Sequence, residues 1–302
     1  MGRAFPVFMS VAFLVCCGGN GHPETAGNGG DAYRIGLAIC MSPDTPFFVS
    51  LLEGAEESAH RLNVEIIPVY ACEDPQLQAL QVLELAEEGI DAILLNPVSD
   101  SVTPALETVA SRGVPVFTID RGVSSHMVVS HIASDNRAGG RMAGDYLVEA
   151  LNRRGRVVEI MGTEGSSAAI ERGLGFREAI AMHPEIEIVS SFHAGFDRDL
   201  AMQGFLDVLR DTVRVDGVFA HNDDMILGAM EAAGTAGAGD ILFIGFDAID
   251  EAIEAVERGD LLATVAQRPA EMGRLGVETA VDYLSGLEVP DSIVVDLALI
   301  LR

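Results

Sequence analysis

The sequence predicts an α/β fold of two similar doubly wound domains, each built on a parallel sheet. From residue 33 onward, short apolar runs alternate with stretches that have helical spacing. Strands that are apolar on both faces are typical of parallel sheets covered by helices on each side. The alternation occurs twice, in two halves of similar size, and 302 residues are enough for two domains.

Ten apolar runs are predicted strands, five in each half. In order they read YRIGLAIC, VEIIPVY, DAILLNP, VPVFTID, MVVSHIA, RVVEIMG, IEIVSSFH, GVFAHN, DILFIGF and LLATVAQ. Residues 49–62 and 77–87 show the helical spacing that fills the intervals. Between the halves, HIASDNRAGGRMAGDYL runs directly from a strand into a helix, which indicates hinge strands instead of a flexible linker.

Polar residues directly follow several of these strands. Asp120 and Arg121 end one strand, Asn222 and Asp223 end another, and Asp247 ends a third. Ligands of open parallel sheets bind outside the carboxyl ends of the strands, and between two such domains the natural site is the cleft. Surface ion pairing and helix capping are the alternative interpretations of these side chains.

Charge and composition exclude several classes of function. The formal net charge of -27 disfavours nucleic acid as a partner. All 19 basic residues are arginine, so no P-loop lysine and no lysine Schiff base exists. There is no G-x-S-x-G or H-E-x-x-H motif, and the seven histidines lack metal-ligand spacing. We therefore expect neither an enzyme nor a resident metal or cofactor.

The N-terminus predicts export. Arg3 precedes an apolar run over 4–15 that is too short to span a bilayer and fits a signal peptide. Cys16 and Cys17 and a Gly/Asn-rich spacer follow, which resembles a bacterial lipoprotein signal. We expect a signal over 1–17, a lipid on Cys17, a tether over 18–31, and a location in the periplasm or on the outer face of the membrane. An ordinary cleaved signal is the alternative.

Two further cysteines, Cys40 and Cys72, lie near the ends of predicted neighbouring strands. A disulfide formed after export and two separate thiols are both compatible with this spacing.

Eleven segments in register resemble the family of periplasmic ribose-binding proteins. They are TPFFVSLLEGAEESA, LLNPVSDSV, FTIDRG, VVSHIASDN, AGDYL, SSAAIERGLGF, GFDRD, VFAHNDDMILGA, IGFDAID, LLATVAQRP and GVETA. The resemblance extends from residue 35 to residue 302. It implies a type I periplasmic binding protein fold with an N-terminal domain (32–134 and 268–295) and a C-terminal domain (135–267 and 296–302). It also implies a receptor that captures a monosaccharide for an ABC importer and has no catalytic activity.

The resemblance also implies the ligand-binding residues. Three aromatic rings would enclose the sugar, six polar side chains would bond its hydroxyls, and a further phenylalanine would line the pocket. These are, respectively, Phe47, Phe48 and Phe196; Asp120, Arg121, Arg172, Asn222, Asp247 and Gln267; and Phe246. Asn96 would support a loop. A sugar has apolar C–H faces, which suit aromatic rings, and a polar rim, which suits charge-assisted hydrogen bonds.

Several of these residues also have structural interpretations. Phe47 and Phe48 could be core residues, although we expect that adjacent helix positions cannot both face one core. Arg172 could pair with Glu171 or Glu164. Of the two polar residues after GVFAH, we assign Asn222 to the ligand and Asp223 to the helix cap.

One position departs from the family pattern. The residue before Pro-Phe-Phe is asparagine in the ribose-binding pattern and is Thr45 here. A hydroxyl replaces an amide, and sites built to bond particular hydroxyls discriminate strongly among sugars. Ribose is the first choice of ligand, with a related pentose, ketose or deoxy sugar as alternatives.

The implied mechanism is hinge closure of a monomer. We expect Asp120, Arg121 and Gln267 to bond the sugar from one side, and Arg172, Asn222 and Asp247 from the other. An importer permease and possible chemoreceptor are the expected protein partners. A sugar-responsive repressor core is the first rival interpretation, but the expected export signal occupies the place of its DNA-binding domain. The second is a periplasmic sugar enzyme using Asp120 or Asp247, but arginine partners should keep both acids ionised.

Overall fold

The structure is a computed structural model that describes residues 32–211 and 214–302. The predicted signal, tether and Cys17 lie outside these residues. The strands are β1 (Tyr33–Ile39), β2 (Val64–Tyr70), β3 (Ala92–Leu95), β4 (Val116–Ile119), β5 (Val128–Ser134), β6 (Gly155–Met161), β7 (Ile186–His193), β8 (Gly217–Ala220), β9 (Leu242–Asp247), β10 (Ala263–Ala266), β11 (Ser292–Val295) and β12 (Ala298–Ile300). The helices are α1 (Pro46–Leu62), α2 (Pro75–Glu87), α3 (Thr103–Ser111), α4 (Asn136–Ala150), α5 (Ser167–Ala181), α6 (Arg198–Asp211), α7 (Asp223–Ala236), α8 (Asp250–Arg258) and α9 (Pro269–Leu284). A short 3-10 helix, Asp100–Val102, precedes α3.

The strands form two six-stranded sheets. The first has the order β11-β5-β4-β3-β1-β2, and all of its strands are parallel. The second has the order β12-β10-β9-β8-β6-β7, and it is parallel except for β12, which pairs antiparallel with β10. The predicted fold class is therefore confirmed. We call the first sheet with α1, α2, α3 and α9 the first lobe, and the second sheet with α4 to α8 the second lobe.

Burial follows the place of each strand in its sheet. The central strands β3, β4 and β8 are buried along their whole length, as their apolar sequences AILL, VFTI and GVFA require. The edge strands β2 and β7 expose charged residues such as Glu65 and Glu187. All ten predicted strands are present. The sequence analysis did not identify β11 and β12, which are only 4 and 3 residues long and have exposed residues.

The chain passes between the lobes at three places. Asp135 joins β5 to α4, the segment after β10 leads to α9, and a two-residue link joins β11 to β12. The strands of each lobe come from the segments that we assigned to each predicted domain, although the exact residue limits of the domains stay a prediction. No helix among the described residues has the length and apolarity to cross a membrane.

Glycines allow one pair of helices in each lobe to approach closely. A β-carbon at Gly54 of α1 would collide with the carbonyl of Ala270 in α9. One at Gly140 of α4 would likewise collide with the carbonyl of Arg172 in α5. Glycine thus permits direct backbone contact here, and in the second lobe that contact fixes the backbone that carries Arg172.

Candidate functional site

A cleft lies between the carboxyl ends of the two sheets. Its empty space, including some open to solvent, is about 450 Å³. It is lined by Met41, Thr45, Pro46, Phe47, Phe48, Asp120, Arg121, Ala168, Arg172, Phe196, Asn222, Asp224, Asp247, Ile249 and Gln267. Ten of the eleven predicted ligand residues, Thr45 included, are in this set. The exception is Phe246, which is fully buried behind the cleft, so its predicted place in the lining is wrong.

Asp120 is held at the end of β4 by an amide. Its Oδ2 accepts a hydrogen bond from Asn96 Nδ2 at 3.0 Å, and the same Nδ2 also donates to the carbonyl of Ile119. Asn96 Oδ1 in turn accepts from the Cys40 N–H. The backbone of Asp120 is left-handed, with φ of 60°. Such a conformation in a residue other than glycine costs about 1–3 kcal/mol and clusters at functional sites.

Arg121 points into the cleft, where it meets an acid and a ring. Its Nη1 donates to Glu73 Oε1 at 3.0 Å, and its guanidinium carbon lies 4.9 Å from the centre of the Phe196 ring. Burial lowers the pKa of Arg121, but nearby Cys40, Glu73 and Asp120 more than offset this, so the pKa is above its usual value. The surface ion pair considered for Asp120 and Arg121 is therefore ruled out, because both side chains are buried.

Arg172 occupies the second-lobe side of the cleft. Its Nε donates to Asn136 Oδ1 at 2.8 Å, and its Nη1 donates to the carbonyl of His221 and to Asp247 Oδ1, the latter at 3.5 Å. The guanidinium carbon lies 3.8 Å from the centre of the Phe246 ring. Glu171 and Glu164 are not its partners. Burial lowers the pKa of Arg172 despite Asp247.

Asp247 and Gln267 are bonded neighbours on adjacent strand ends. Gln267 Nε2 donates to Asp247 Oδ1 at 2.7 Å, while Gln267 Oε1 is buried without a partner among the described residues. Because β10 pairs with β9, Gln267 belongs to the second lobe, and its predicted place opposite Asp247 is wrong. Burial raises the pKa of Asp247 to about 7, against the opposing effect of Arg172. The expectation that arginine keeps this acid fully ionised is therefore wrong as well.

The helix cap predicted for Asp223 is provided by Asn222 instead. Asn222 caps α7, since its Oδ1 accepts from the Met225 N–H at 3.0 Å, but it also lines the cleft. Asp223 is fully buried below the cleft and accepts from Thr264 Oγ1 and the Ile249 N–H. Both residues had capping potential, but only Asn222 has the extended backbone of a cap position. Asp247 caps no helix, because α8 begins after Ile249.

Phe47, Phe48 and Phe196 form the aromatic part of the cleft. The rings of Phe47 and Phe48 meet edge to face with centroids 5.0 Å apart. Both also pack in the core of the first lobe, so the expectation that adjacent positions cannot both face one core is wrong. The cleft and the core meet at the start of α1, and each ring contacts both. Thr45 precedes this helix at the cap position, but its hydroxyl does not cap it.

Cys40 and Cys72 are both free thiols. Cys40 is buried near Asp120 and Arg121, while Cys72 is exposed beside Glu73. The disulfide alternative is therefore excluded in this structure.

Glu73 and Asn136 support the arginines of the cleft but were not identified from the sequence. Both follow the pattern already used, a polar residue at or just beyond the end of a strand, in YACEDP and IASDN. Five residues line the cleft without having been predicted as ligand residues: Met41, Pro46, Ala168, Asp224 and Ile249. The same strand-end pattern would have identified Asp224, but it does not mark the four apolar residues.

The cleft contains charged side chains of both signs. Arg121 and Arg172 are accompanied by three acids, so a cation or an anion would meet a like charge; the acids are Asp120, Asp224 and Asp247. Within 32–211 and 214–302, no group of three or more His, Cys, Asp or Glu side chains could hold a metal ion. The arrangement suits an uncharged ligand with several hydroxyls and at least one apolar face.

Two lobes joined by three crossings, with a polar and aromatic cleft between their strand ends, define a two-lobed ligand-binding protein. A family model described as "Periplasmic binding protein domain" matches residues 35–288, and the chain belongs to this family.

Named relatives agree with this assignment. The ribose import binding protein of Escherichia coli is 39% identical over 268 residues, covering 88% of this chain and 90% of the relative. The xylitol-binding protein of Mycolicibacterium smegmatis is 30% identical over 283 residues, covering 93% and 76%. The structure of a Caulobacter myo-inositol binding protein with myo-inositol bound has a TM-score of 0.84 and 31% identity, covering 89% of this chain and 94% of that protein.

Proposed function

We propose that this protein is an exported receptor that captures a monosaccharide, ribose first, and delivers it to an ABC importer. One observation carries the proposal. Two buried arginines, two buried or nearly buried aspartates and three phenylalanine rings line a single cleft. This combination matches the polar rim and apolar faces of a sugar ring.

The hydrogen-bonding state of the cleft supports a ligand rich in hydroxyls. Buried polar atoms almost always have partners, yet Gln267 Oε1 has none among the described residues. Asp120 has Asn96 as its one side-chain partner there, which leaves its Oδ1 free to accept. A sugar hydroxyl can donate to either oxygen, and the arginines can donate to the hydroxyl oxygens.

The ligands of the relatives point the same way. Their names and titles give ribose, xylitol and myo-inositol, which are uncharged molecules with several hydroxyls. Ribose ranks first because the identity to the ribose import binding protein is the highest of the three. Thr45 lines the cleft where the family pattern has asparagine, so a related pentose, ketose or deoxy sugar is the second choice.

Closure around the sugar is the proposed mechanism. Asp120 and Arg121 approach from the first lobe, and Arg172, Asn222, Asp247 and Gln267 approach from the second. A ligand that bonds both sides stabilises the closed arrangement. We place the hinge at the three crossings, with the domain limits of the sequence analysis. The relatives are named as binding proteins, and we infer that this protein too is a receptor and not an enzyme.

Calorimetric titration with a panel of sugars tests the proposal. The panel contains D-ribose, D-xylose, L-arabinose, 2-deoxyribose, D-fructose and xylitol, with ribose 5-phosphate as the anionic control. We expect one-to-one binding of ribose and no binding of the phosphate, because three carboxyl groups line the cleft beside the two arginines. Heat with a different neutral sugar would retain the receptor and change its ligand. Folded protein that binds no sugar would refute the proposed function.

A further inference from the structure

Glu73 lies where the two lobes touch, and it bonds to both. Its Oε1 accepts from Arg121 Nη1 in the first lobe at 3.0 Å. Its Oε2 accepts from Thr163 Oγ1, which follows β6 in the second lobe, also at 3.0 Å. One carboxylate therefore joins a cleft arginine to the opposite lobe.

The backbone at Glu73 indicates that its side chain has a purpose. Cys72 and Glu73 both have left-handed backbones, with φ of 49° and 61°. The Asp74 N–H donates to the Ala71 carbonyl, so these four residues form a tight turn with positive φ at both central positions. Asn-Gly and Gly-Gly suit such a turn, whereas Cys-Glu is strained in it. The strain is explained if the carboxylate at position 73 is needed.

We propose that Glu73 is a positioning residue that couples the orientation of Arg121 to closure of the lobes. The inference rests on the proposed function. The bond to Arg121 lies within one lobe, so it persists when the cleft opens. The bond to Thr163 crosses the cleft, so it breaks. Closure completes the carboxylate's hydrogen bonds and holds Arg121 facing Phe196, where its guanidinium meets the ligand space.

A second contact between the lobes shows what is particular to Glu73. The Gly122 N–H of the first lobe donates to Ser167 Oγ of the second at 2.8 Å. That bond also forms on closure, but it involves no cleft side chain. Ser167→Ala is therefore a control for loss of one contact between the lobes that involves the backbone next to Arg121 but not the Arg121 side chain.

The test is a double-mutant cycle on sugar affinity, measured by calorimetry with the best sugar of the panel. Thr163→Val keeps the shape of the side chain and removes the hydroxyl, and we expect it to weaken affinity about fivefold, the effect of one hydrogen bond. Thr163→Ser restores the hydroxyl and should restore affinity. Glu73→Ala should weaken affinity more, because it also releases Arg121. The double variant should bind no more weakly than Glu73→Ala alone.

Further variants separate coupling from simple structural damage. Cys72→Gly should relieve the strained turn and raise the melting temperature without changing affinity. Glu87→Gln alters an exposed ion pair with Arg112 in the same lobe, and it should change neither the melting temperature nor the sugar affinity. Additive effects of Glu73→Ala and Thr163→Val, or unchanged affinity in Thr163→Val, would overturn the proposal.

Small-angle scattering distinguishes failure of the coupling from failure of the proposed function. If the wild type binds no sugar, the proposed function fails. The effect of the hydrogen bond between Glu73 and Thr163 on closure is still measurable in the ligand-free protein. Thr163→Val should then increase the radius of gyration relative to Thr163→Ser, since one bond that favours closure is lost. Equal radii in that case would overturn the role of Glu73.

Discussion

The two sides of the cleft hold their charged groups in different ways. In the first lobe, Asp120 and Arg121 rest on separate supports, Asn96 and Glu73. In the second lobe, Gln267 bonds Asp247, Asp247 bonds Arg172, and Arg172 bonds Asn136. Groups within one network respond together, whereas independent supports respond separately. A substitution in the second-lobe network should therefore disturb more side chains than a substitution in the first lobe.

The two lobes also differ in the side chains that lie below the cleft. In the second lobe, the backbone carbonyl of His221 accepts a hydrogen bond from Arg172. The imidazole ring of His221 is hydrogen-bonded to the buried Glu159, which also forms an ion pair with Arg177. Burial raises the pKa of Glu159, but His221 and Arg177 more than offset this, so the pKa is below its usual value. The corresponding region of the first lobe is held by neutral amides, since Gln78 bonds the backbone of Asn96 and Val98. Among residues 32–211 and 214–302, the acidic side chains that are fully buried, Glu159 and Asp223, both belong to the second lobe.

Arg172→Met should have the largest effect, because it breaks the second-lobe network at its centre. It leaves Asp247 buried without its charged partner and Asn136 without a donor. Loss of one partner of a buried ion pair lowers the free energy of unfolding by about 3–5 kcal/mol. Urea unfolding measures this, and Arg258→Met, at an exposed site, is the control. A loss no larger than that of the control would remove the contrast between the lobes.

Asp120→Ala should abolish tight sugar binding with little loss of stability. Its support Asn96 keeps its bonds to Ile119 and Cys40, so no buried amide is stranded. Loss of a charged group that bonds a ligand lowers affinity by about 100-fold or more. Calorimetry and thermal unfolding measure the two effects. Unchanged affinity in a folded variant would show that Asp120 does not contact the sugar.

Sugar affinity should fall as the pH falls from 8 to 6. Burial raises the pKa of Asp247 to about 7, and a hydroxyl that donates to this group favours its ionised form. One pH unit below the pKa, the affinity should be about tenfold weaker. The stability of the ligand-free protein should change in the opposite sense. A raised carboxyl pKa contributes stability that is present below the usual carboxyl pKa and is lost as the pH rises through about 7.

Asp247→Asn should flatten both pH profiles over this range, because the titrating group is removed. Titrations at several pH values in one ionic strength provide the measurement. A variant that keeps the full pH dependence would assign it to another group in or near the cleft.

Thr45→Asn should have the smallest effect, a shift of a few-fold in the ranking of sugars toward ribose. The amide reaches further into the cleft than the hydroxyl and offers both a donor and an acceptor. Competition between ribose and the second-best sugar measures the shift. An unaltered ranking would show that Thr45 does not determine specificity.

Much of the fold and site was predictable because strand ends of parallel sheets converge at one edge. Apolar runs predicted ten of the twelve strands found in the described residues, and the polar residues after them predicted Asp120, Arg121, Asn222 and Asp247. What the sequence did not decide depends on tertiary contacts. Asn222 and Asp223 are both good caps, and only the buried pocket formed by Thr264 and Ile249 separates them. The predicted domain limits and the predicted bonding sides placed Gln267 in different lobes, and the pairing of β10 with β9 decides between them.

The exposed thiol of Cys72 makes the protein a natural starting point for an optical sensor. It is next to Glu73, at the boundary between the lobes that would move in the proposed closure, whereas the thiol of Cys40 is buried. After replacement of Cys16 and Cys17, a thiol-reactive, polarity-sensitive dye would attach at Cys72 alone. Emission would then change as the second lobe approaches, so that the concentration of the bound sugar could be followed continuously without added reagents.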